Sequence, residues 1–350
     1  MNKEFGVRIK KFQRELRKKK IDVALLVNLK DNCSGVFYFS GVDVEGVYLV
    51  IPKNGKAILY SVPMQYEMVK KKSGVKVVKL KQRFLKEVKS MKGRIGVNKE
   101  VLSVKVFDKL KREIRKSVKC VSFADVSGIL GELRKIKTTR EIFYVKKACK
   151  IVDKIFMKLK RRFSKFKTER DVVEFIEREV KKASCELAFP VIVASGKNAS
   201  MPHYSPKKVK LSKGFCVIDF GVKYMGYCCD MSRTIYIGKP NKKEVEVYEE
   251  VLKIQEECIS KLKIGVKFKS VDKFSRSKWK YPHALGHGVG IEIHEKPRFN
   301  GLDKVEKGMV FAVEPAIYRS GKYGIRIEDT CIVEKSCKAI TMAPKKLFCV

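Results

Sequence analysis

The sequence contains no apolar run of about 18 residues, which excludes a membrane-spanning helix. Its opening stretch, MNKEFGVRIKKFQRELRKKK, carries charges throughout and lacks an apolar core, so no secretory signal is expected. No CxxC pair occurs. The 11 cysteines are odd in number and scatter from Cys33 to Cys349. The adjacent Cys228 and Cys229 offer only a strained disulfide, so reduced thiols and a cytoplasmic location are expected. Internal repeats and low-complexity linkers are also missing. Histidine is scarce, with 4 in 350 residues and none before His203.

Two features are abundant. Apolar residues make up 45% of the chain, enough for a core and against global disorder, and the formal net charge is +41. The lysines run along the whole chain, with no basic tail, RNA-recognition signature or paired-cysteine zinc finger. They read as surface usage, and nucleic acid is not the expected partner.

The length fits two domains, placed at 1–135 and 136–350. The first reads as α/β. A basic amphipathic helix (about 4–20) leads into the buried-strand run Ile21–Val27. VYLVIP and KAILYSV follow as a hairpin whose Asn54-Gly55 turn supplies positive φ angles. Then come a strand at 94–97, a helix at 106–116 and the strand CVSFAD (120–125). In the second domain, Thr138…Glu141 and Thr168…Asp171 match capping boxes opening two helices. Strands FPVIVAS, GFCVIDFGV and CDMSRTIYIG follow, then a helix at 244–262, then MVFAVEP, GIRIED and CIVEK. Helices followed by antiparallel-looking strands make this domain α+β.

Chemistry concentrates in the second domain. Asp219 and Asp230 flank a turn-containing segment, and two strands joined that way can bring both carboxylates to one face. Such a like-charged pair in a half-buried sheet is costly without a cation. The plainer alternative makes Asp219 a turn residue and pairs Asp230 with Arg233. Glu314 and Glu328 repeat the pattern at the ends of apolar strand runs. His283, His287 and His294 all fall within YPHALGHGVGIEIHEKPR, which alone suggests a three-histidine site. Several acids with imidazole suit a pair of Mn, Fe, Co or Zn ions, whereas structural zinc prefers thiolates. The order Asp, Asp, His, Glu, Glu therefore points to a dinuclear hydrolase.

The stretches VASGKNASMPHYSP, VIDFGVKYMGYCCDMSRT, HALGHGVGIEIHEKPR, FAVEPAIY and GIRIEDT resemble, in order and spacing, those of the pita-bread metallopeptidases. That group includes aminopeptidase P, prolidase, methionine aminopeptidase and creatinase. The resemblance covers 136–350 and extends more weakly into 1–135, which looks like a creatinase-type N-terminal domain. It implies a pita-bread α+β catalytic domain behind a smaller α/β domain. It also implies Asp219, Asp230, His287, Glu314 and Glu328 as ligands of two divalent metals, manganese or cobalt first and zinc or iron as alternatives. Glu314 becomes the general base, and His294 the group that hydrogen-bonds the tetrahedral intermediate. His203 and His283 face the substrate, Arg326 supports the metal-proximal network, and Arg298 grips a dipeptide's C-terminal carboxylate. On this reading only His287 of the window binds metal, with Gly286 and Gly288 allowing close approach. The implied substrate is a peptide with proline at its second position, hydrolysed by a prolidase-like or aminopeptidase-P-like homodimer. The rival is a catalytically inactive peptide- or nucleic-acid-binding module, which would have lost ligands. Ala316 and Tyr204 stand where Gly and a small residue are usual, putting pocket shape in question. Cys228, two residues before Asp230, is either a thiol near the metals or an apolar filler.

Overall fold

A computed structural model describes residues 3–29, 34–80, 93–118 and 121–350. The chain divides into two compact units, Met1–Leu133 and Arg134–Val350.

The first unit is built on a six-stranded mixed sheet of β1 (Val23–Asn28), β2 (Val47–Pro52), β3 (Ile58–Ser61), β4 (Lys76–Lys79), β5 (Arg94–Val97) and β6 (Ser122–Asp125), ordered β4-β3-β2-β1-β5-β6. β1 is buried at every position, as its unbroken apolar run requires of a central strand. The helix Lys3–Lys18 turns Ile9, Phe12 and Leu16 inward, and the helix Val104–Ser117 contributes Leu110 and Ile114 to the core against β1 and β5. β2 and β3 pair antiparallel as expected, but across five residues, and of the Asn54-Gly55 pair only Gly55 takes positive φ, at 97°. The expected strand at 120–125 is observed from Ser122, and Cys120 lies outside the described residues. The short helices Ser34–Ser40 and Tyr66–Lys72 and strand β4 were not legible in the pattern.

In the second unit the capping boxes of Thr138 with Glu141 and Thr168 with Asp171 both form, opening the helices Thr139–Arg162 and Glu169–Lys182. The strands are β7 (Glu186–Leu187), β8 (Ile192–Ser195), β9 (Gly214–Asp219), β10 (Val222–Tyr224), β11 (Tyr227–Cys228), β12 (Ser232–Ile237), β13 (His287–Gly288), β14 (Glu295–Arg298), β15 (Val310–Val313), β16 (Ala316–Arg319), β17 (Tyr323–Arg326), β18 (Asp329–Val333) and β19 (Cys337–Ala339). They form sheets β11-β10-β7, β12-β9-β8, β14-β13-β15-β18-β19 and β16-β17, every strand pair antiparallel. The helix Lys242–Lys261 packs Ile254 and Cys258 against Phe311 and Val313 of β15, and Tyr248 and Val251 against Ile325 of β17. A further helix, Phe268–Lys278, escaped the sequence reading. No side chain caps its first turn, so the usual start signal is missing.

Candidate metal centre

Five strand ends deliver the acids and the imidazole. Asp219 closes β9, and Ser232 of β12 is its register partner. Asp230 therefore arrives two residues before that pair, with the β10–β11 hairpin looped out between. Its backbone is clamped by Thr330, whose hydroxyl accepts from Asp230 N (2.9 Å) and donates to Asp230 O (2.8 Å). His287 opens β13, Glu314 sits between β15 and β16, and Glu328 lies just before β18. His287 Nε2 stands 3.5 Å from Asp230 Oδ2 and 3.7 Å from Glu314 Oε1. Ligand atoms of Asp230, His287 and Glu328 all lie within 4.8 Å of one another.

The electrostatics are those of a buried cluster with excess negative charge. Burial first, and then Asp219 and Glu314, hold the Asp230 carboxyl well above the usual carboxylate range. Burial and Glu328 push Glu314 up to about 8. Glu328 is raised by burial, Asp230 and Asp219. Among the described residues the buried cation within this group is Arg326, whose Nη2 donates to Asp219 Oδ2 at 2.7 Å. One guanidinium does not offset four carboxylates. The buried Oδ1 atoms of Asp219 and Asp230 also have no hydrogen-bond partner. Uncommitted, buried, electron-rich oxygens beside an imidazole fit a divalent cation.

The plainer pairing of Asp230 with Arg233 is not what forms. Arg233 is buried against Asp329, Nη2 to Oδ1 at 2.7 Å. Nor is Asp219 a mere turn residue, since it ends β9 in contact with Arg326. Arg326 organises the wall of the site, donating from Nε to Ser232 Oγ (3.0 Å) and from Nη1 to the Tyr318 hydroxyl (2.6 Å) and Pro202 O (3.2 Å). Ser232 Oγ in turn donates to Glu328 Oε2 at 2.7 Å. Ser232, Tyr318 and Thr330 are the site residues that sequence reasoning missed. Hydroxyls carry no spacing signal, and only their proximity to the acids reveals them.

The histidines separate. His283 shares a hydrogen bond with the Tyr318 hydroxyl through Nε2 (3.1 Å), and its Nδ1 lies 3.7 Å from Glu314 Oε2. The His294 ring packs edge-on to that of His287, centroids 4.2 Å apart. Burial around both imidazoles lowers His283 and His294 to about 4, although His294 as a residue reaches solvent. His203, exposed, is close enough to contribute to both shifts. Arg298 is exposed on β14, opposite His287 in the strand register.

A Cβ at Gly286 would stand 2.0 Å from the Ala312 carbonyl oxygen, and one at Gly288 2.2 Å from that of Lys296. The close approach expected at these glycines is thus of backbone to backbone, holding His287 between β14 and β15. Cys228 is buried on β11, and its thiol lies close enough to Asp230 and Glu295 for both carboxylates to act on it. The Sγ donates to Ile291 O at 3.5 Å, and burial pushes the thiol pKa up. Nine cysteines are free among the described residues, while Cys33 and Cys120 lie outside them.

Residues 144–335 match the model of metallopeptidase family M24, and residues 8–136 match the creatinase/prolidase N-terminal domain. The chain is 35% identical over 326 residues to the Xaa-Pro dipeptidase of Pyrococcus furiosus, a match covering 89% of this chain and 92% of that one. The solved prolidase from Pyrococcus horikoshii OT3 superposes with a TM-score of 0.87 at 32% identity, covering 97% of this chain and 99% of that one. The X-Pro aminopeptidase from Thermotoga maritima MSB8 gives 0.85 at 30% identity, covering 96% and 100%. The chain belongs to metallopeptidase family M24. Its fold is the pita-bread α+β arrangement of that family, preceded in the chain by a creatinase-type α/β domain, and its chemistry calls on divalent metal ions.

Proposed function

We propose that the chain is a dinuclear metal-dependent exopeptidase that hydrolyses the bond between an N-terminal residue and proline. The observation that carries this is the cluster of Asp230, His287 and Glu328, with Glu314 and Asp219 acting on it, its excess buried negative charge and two unpartnered carboxylate oxygens. These five would hold the metals. When bound, the pair lowers the pKa of water and polarises the scissile carbonyl. Glu314, facing His283 and His287, takes the proton from the attacking water and passes it to the leaving nitrogen. His294 donates a hydrogen bond to the developing oxyanion, a contact of a kind worth roughly 2.7–4 kcal/mol. His203 and His283 flank the scissile bond and the proline, and Arg298 takes the substrate's C-terminal carboxylate. Arg326 holds Asp219 in place and, through Ser232, Glu328.

Manganese or cobalt are the metals we propose, with zinc or iron as the alternatives. The free thiols support a cytoplasmic location, and a homodimer is the assembly proposed. Among the described residues no helix is long and apolar enough to cross a membrane. An inactive module of this fold would lack one or more of the five donors, and all five are present.

The test is hydrolysis of Ala-Pro and of Arg-Pro-Pro with added Mn²⁺ or Co²⁺, beside a Glu328→Ala variant. Metal-dependent release of the N-terminal residue, lost in the variant, is the expected result. Release from the dipeptide alone selects a prolidase, and release from the tripeptide selects an aminopeptidase P. No metal-dependent release from either overturns the reading.

A further inference from the structure

The loop that carries His294 folds around a buried charge. Glu295 opens β14, directly across from Gly288, the residue after His287. Its side chain is 6% exposed and accepts at Oε1 from Lys137 Nζ (2.9 Å) and at Oε2 from Arg134, whose side chains are 1% and 7% exposed. Arg134 also reaches Glu292 (3.2 Å), and the backbone N–H of Glu292 donates to Glu295 Oε2 (3.3 Å). Gly290 leaves room for the carboxylate, since a Cβ there would stand 2.3 Å from Glu295 Oε1. The clamp continues outward. Lys135 reaches Asp303 (3.3 Å) and Glu306 (3.2 Å), and Ile136 bridges to Met309. Arg134-Lys135-Ile136-Lys137, the first four residues of the second unit, thus lie along the segment that runs on from His294.

A buried ion cluster adds little stability over an apolar equivalent, because desolvation consumes the Coulombic gain. It does make one geometry much better than its neighbours, because displacing the carboxylate removes the ion pair of buried Lys137 and one of those of buried Arg134. We infer that Glu295, held by Arg134 and Lys137, is a positioning residue that fixes His294 beside His287. This rests on the reading of the chain as a peptidase in which His294 faces the reacting carbonyl. The Glu295 carboxylate is held by Arg134, Lys137 and the Glu292 N–H rather than by any of the five proposed metal ligands, so its loss should leave metal binding intact while misplacing one hydrogen-bond donor.

The experiment compares Glu295→Gln, Gly290→Ala, His294→Ala and the double variants in the Mn²⁺-loaded full chain, with kcat, KM and metal content measured. Glu295→Gln should lower kcat by roughly 10- to 100-fold, the scale of a misplaced catalytic group, at near-wild-type KM and metal content. Gly290→Ala, which crowds the carboxylate while leaving every charge in place, should do the same. Adding His294→Ala to either should cost little more, because both act through one imidazole. Wild-type kcat in Glu295→Gln, or losses that multiply with His294→Ala, overturns the inference. Should Glu295→Gln not fold, Lys137→Met is expected to show the same kcat loss and Lys137→Arg to restore activity; wild-type kcat in Lys137→Met overturns it. If the wild-type chain hydrolyses nothing, the peptidase reading is what fails. Hydrogen exchange of the 289–295 amides then decides: faster exchange in Glu295→Gln supports the clamp, and unchanged exchange refutes it.

Discussion

Glu328 and Asp329 are neighbours in sequence, both buried acids, and their surroundings are opposite. Glu328 faces Asp230 and Asp219, and its carboxyl is raised well above the usual range by burial and by those charges. Asp329 faces Arg233 (2.7 Å), Lys345 (3.3 Å), Gln255 (2.9 Å) and Thr341 (2.7 Å), and these partners overcome burial to hold it below that range. β18 begins at Asp329, and consecutive side chains of extended backbone point to opposite faces. One step of the chain therefore separates a carboxylate that completes a structural network from one set among other acids. Arg233 joins the two sides, donating to Asp329 and, from Nη1, to the backbone oxygen of Glu328 at 2.6 Å. A buried acid is a candidate ligand when its neighbours are acids, and a scaffold element when they are cations.

The same isosteric change at the two positions should break this comparison in opposite directions. Glu328→Gln is expected to cost roughly 1,000-fold or more in kcat/KM, since a metal ligand is worth several kcal/mol of transition-state stabilisation. The chelated variant should denature no earlier than chelated wild type, because one of several repelling charges is gone. Activity assays and thermal melts in EDTA check both halves. Asp329→Asn should do the reverse: it leaves Arg233 without its carboxylate in the core and destabilises by about 3–5 kcal/mol in denaturant titrations, while the five proposed metal ligands are unchanged. Removing metal from the wild-type chain should sharpen the contrast. Metal at about 100 times its Kd contributes roughly 2.7 kcal/mol to stability, so EDTA should lower the melting temperature of wild type but not of Glu328→Gln. The smallest effect belongs to charge in water. Lys242 and Glu246, 4.0 Å apart and mostly exposed, should give no measurable shift in the denaturation midpoint when Lys242 becomes Ala.

Much of this could be read in the chain. The capping boxes at Thr138 and Thr168 set helix starts, because the interaction is local and needs only four residues. The unbroken apolar run of β1 announced a central strand. The four acids stood out because each interrupts or ends an apolar run, where a carboxylate is costly. The helix Phe268–Lys278 was hidden by its uncapped start, and β4 by its lysines at both ends. Ser232, Tyr318 and Thr330 were hidden because hydroxyls sit anywhere in a sequence. Arg233 invited pairing with Asp230, three residues away; the structure gives it to Asp329, 96 residues on.

What the sequence by itself determined is the inventory and its local geometry: five potential ligands, three histidines in one window, helix starts and buried strands. Each follows from short-range hydrogen bonding or from the cost of placing charge among apolar neighbours. Only the tertiary structure decided which acid meets which partner. That depends on antiparallel registers spanning scores of residues, Asp219 across from Ser232 and His287 across from Arg298, and on which face each side chain then takes. Hence Glu328 joins the acidic cluster around His287, Asp329 the scaffold, and Glu295 a buried clamp beside His294.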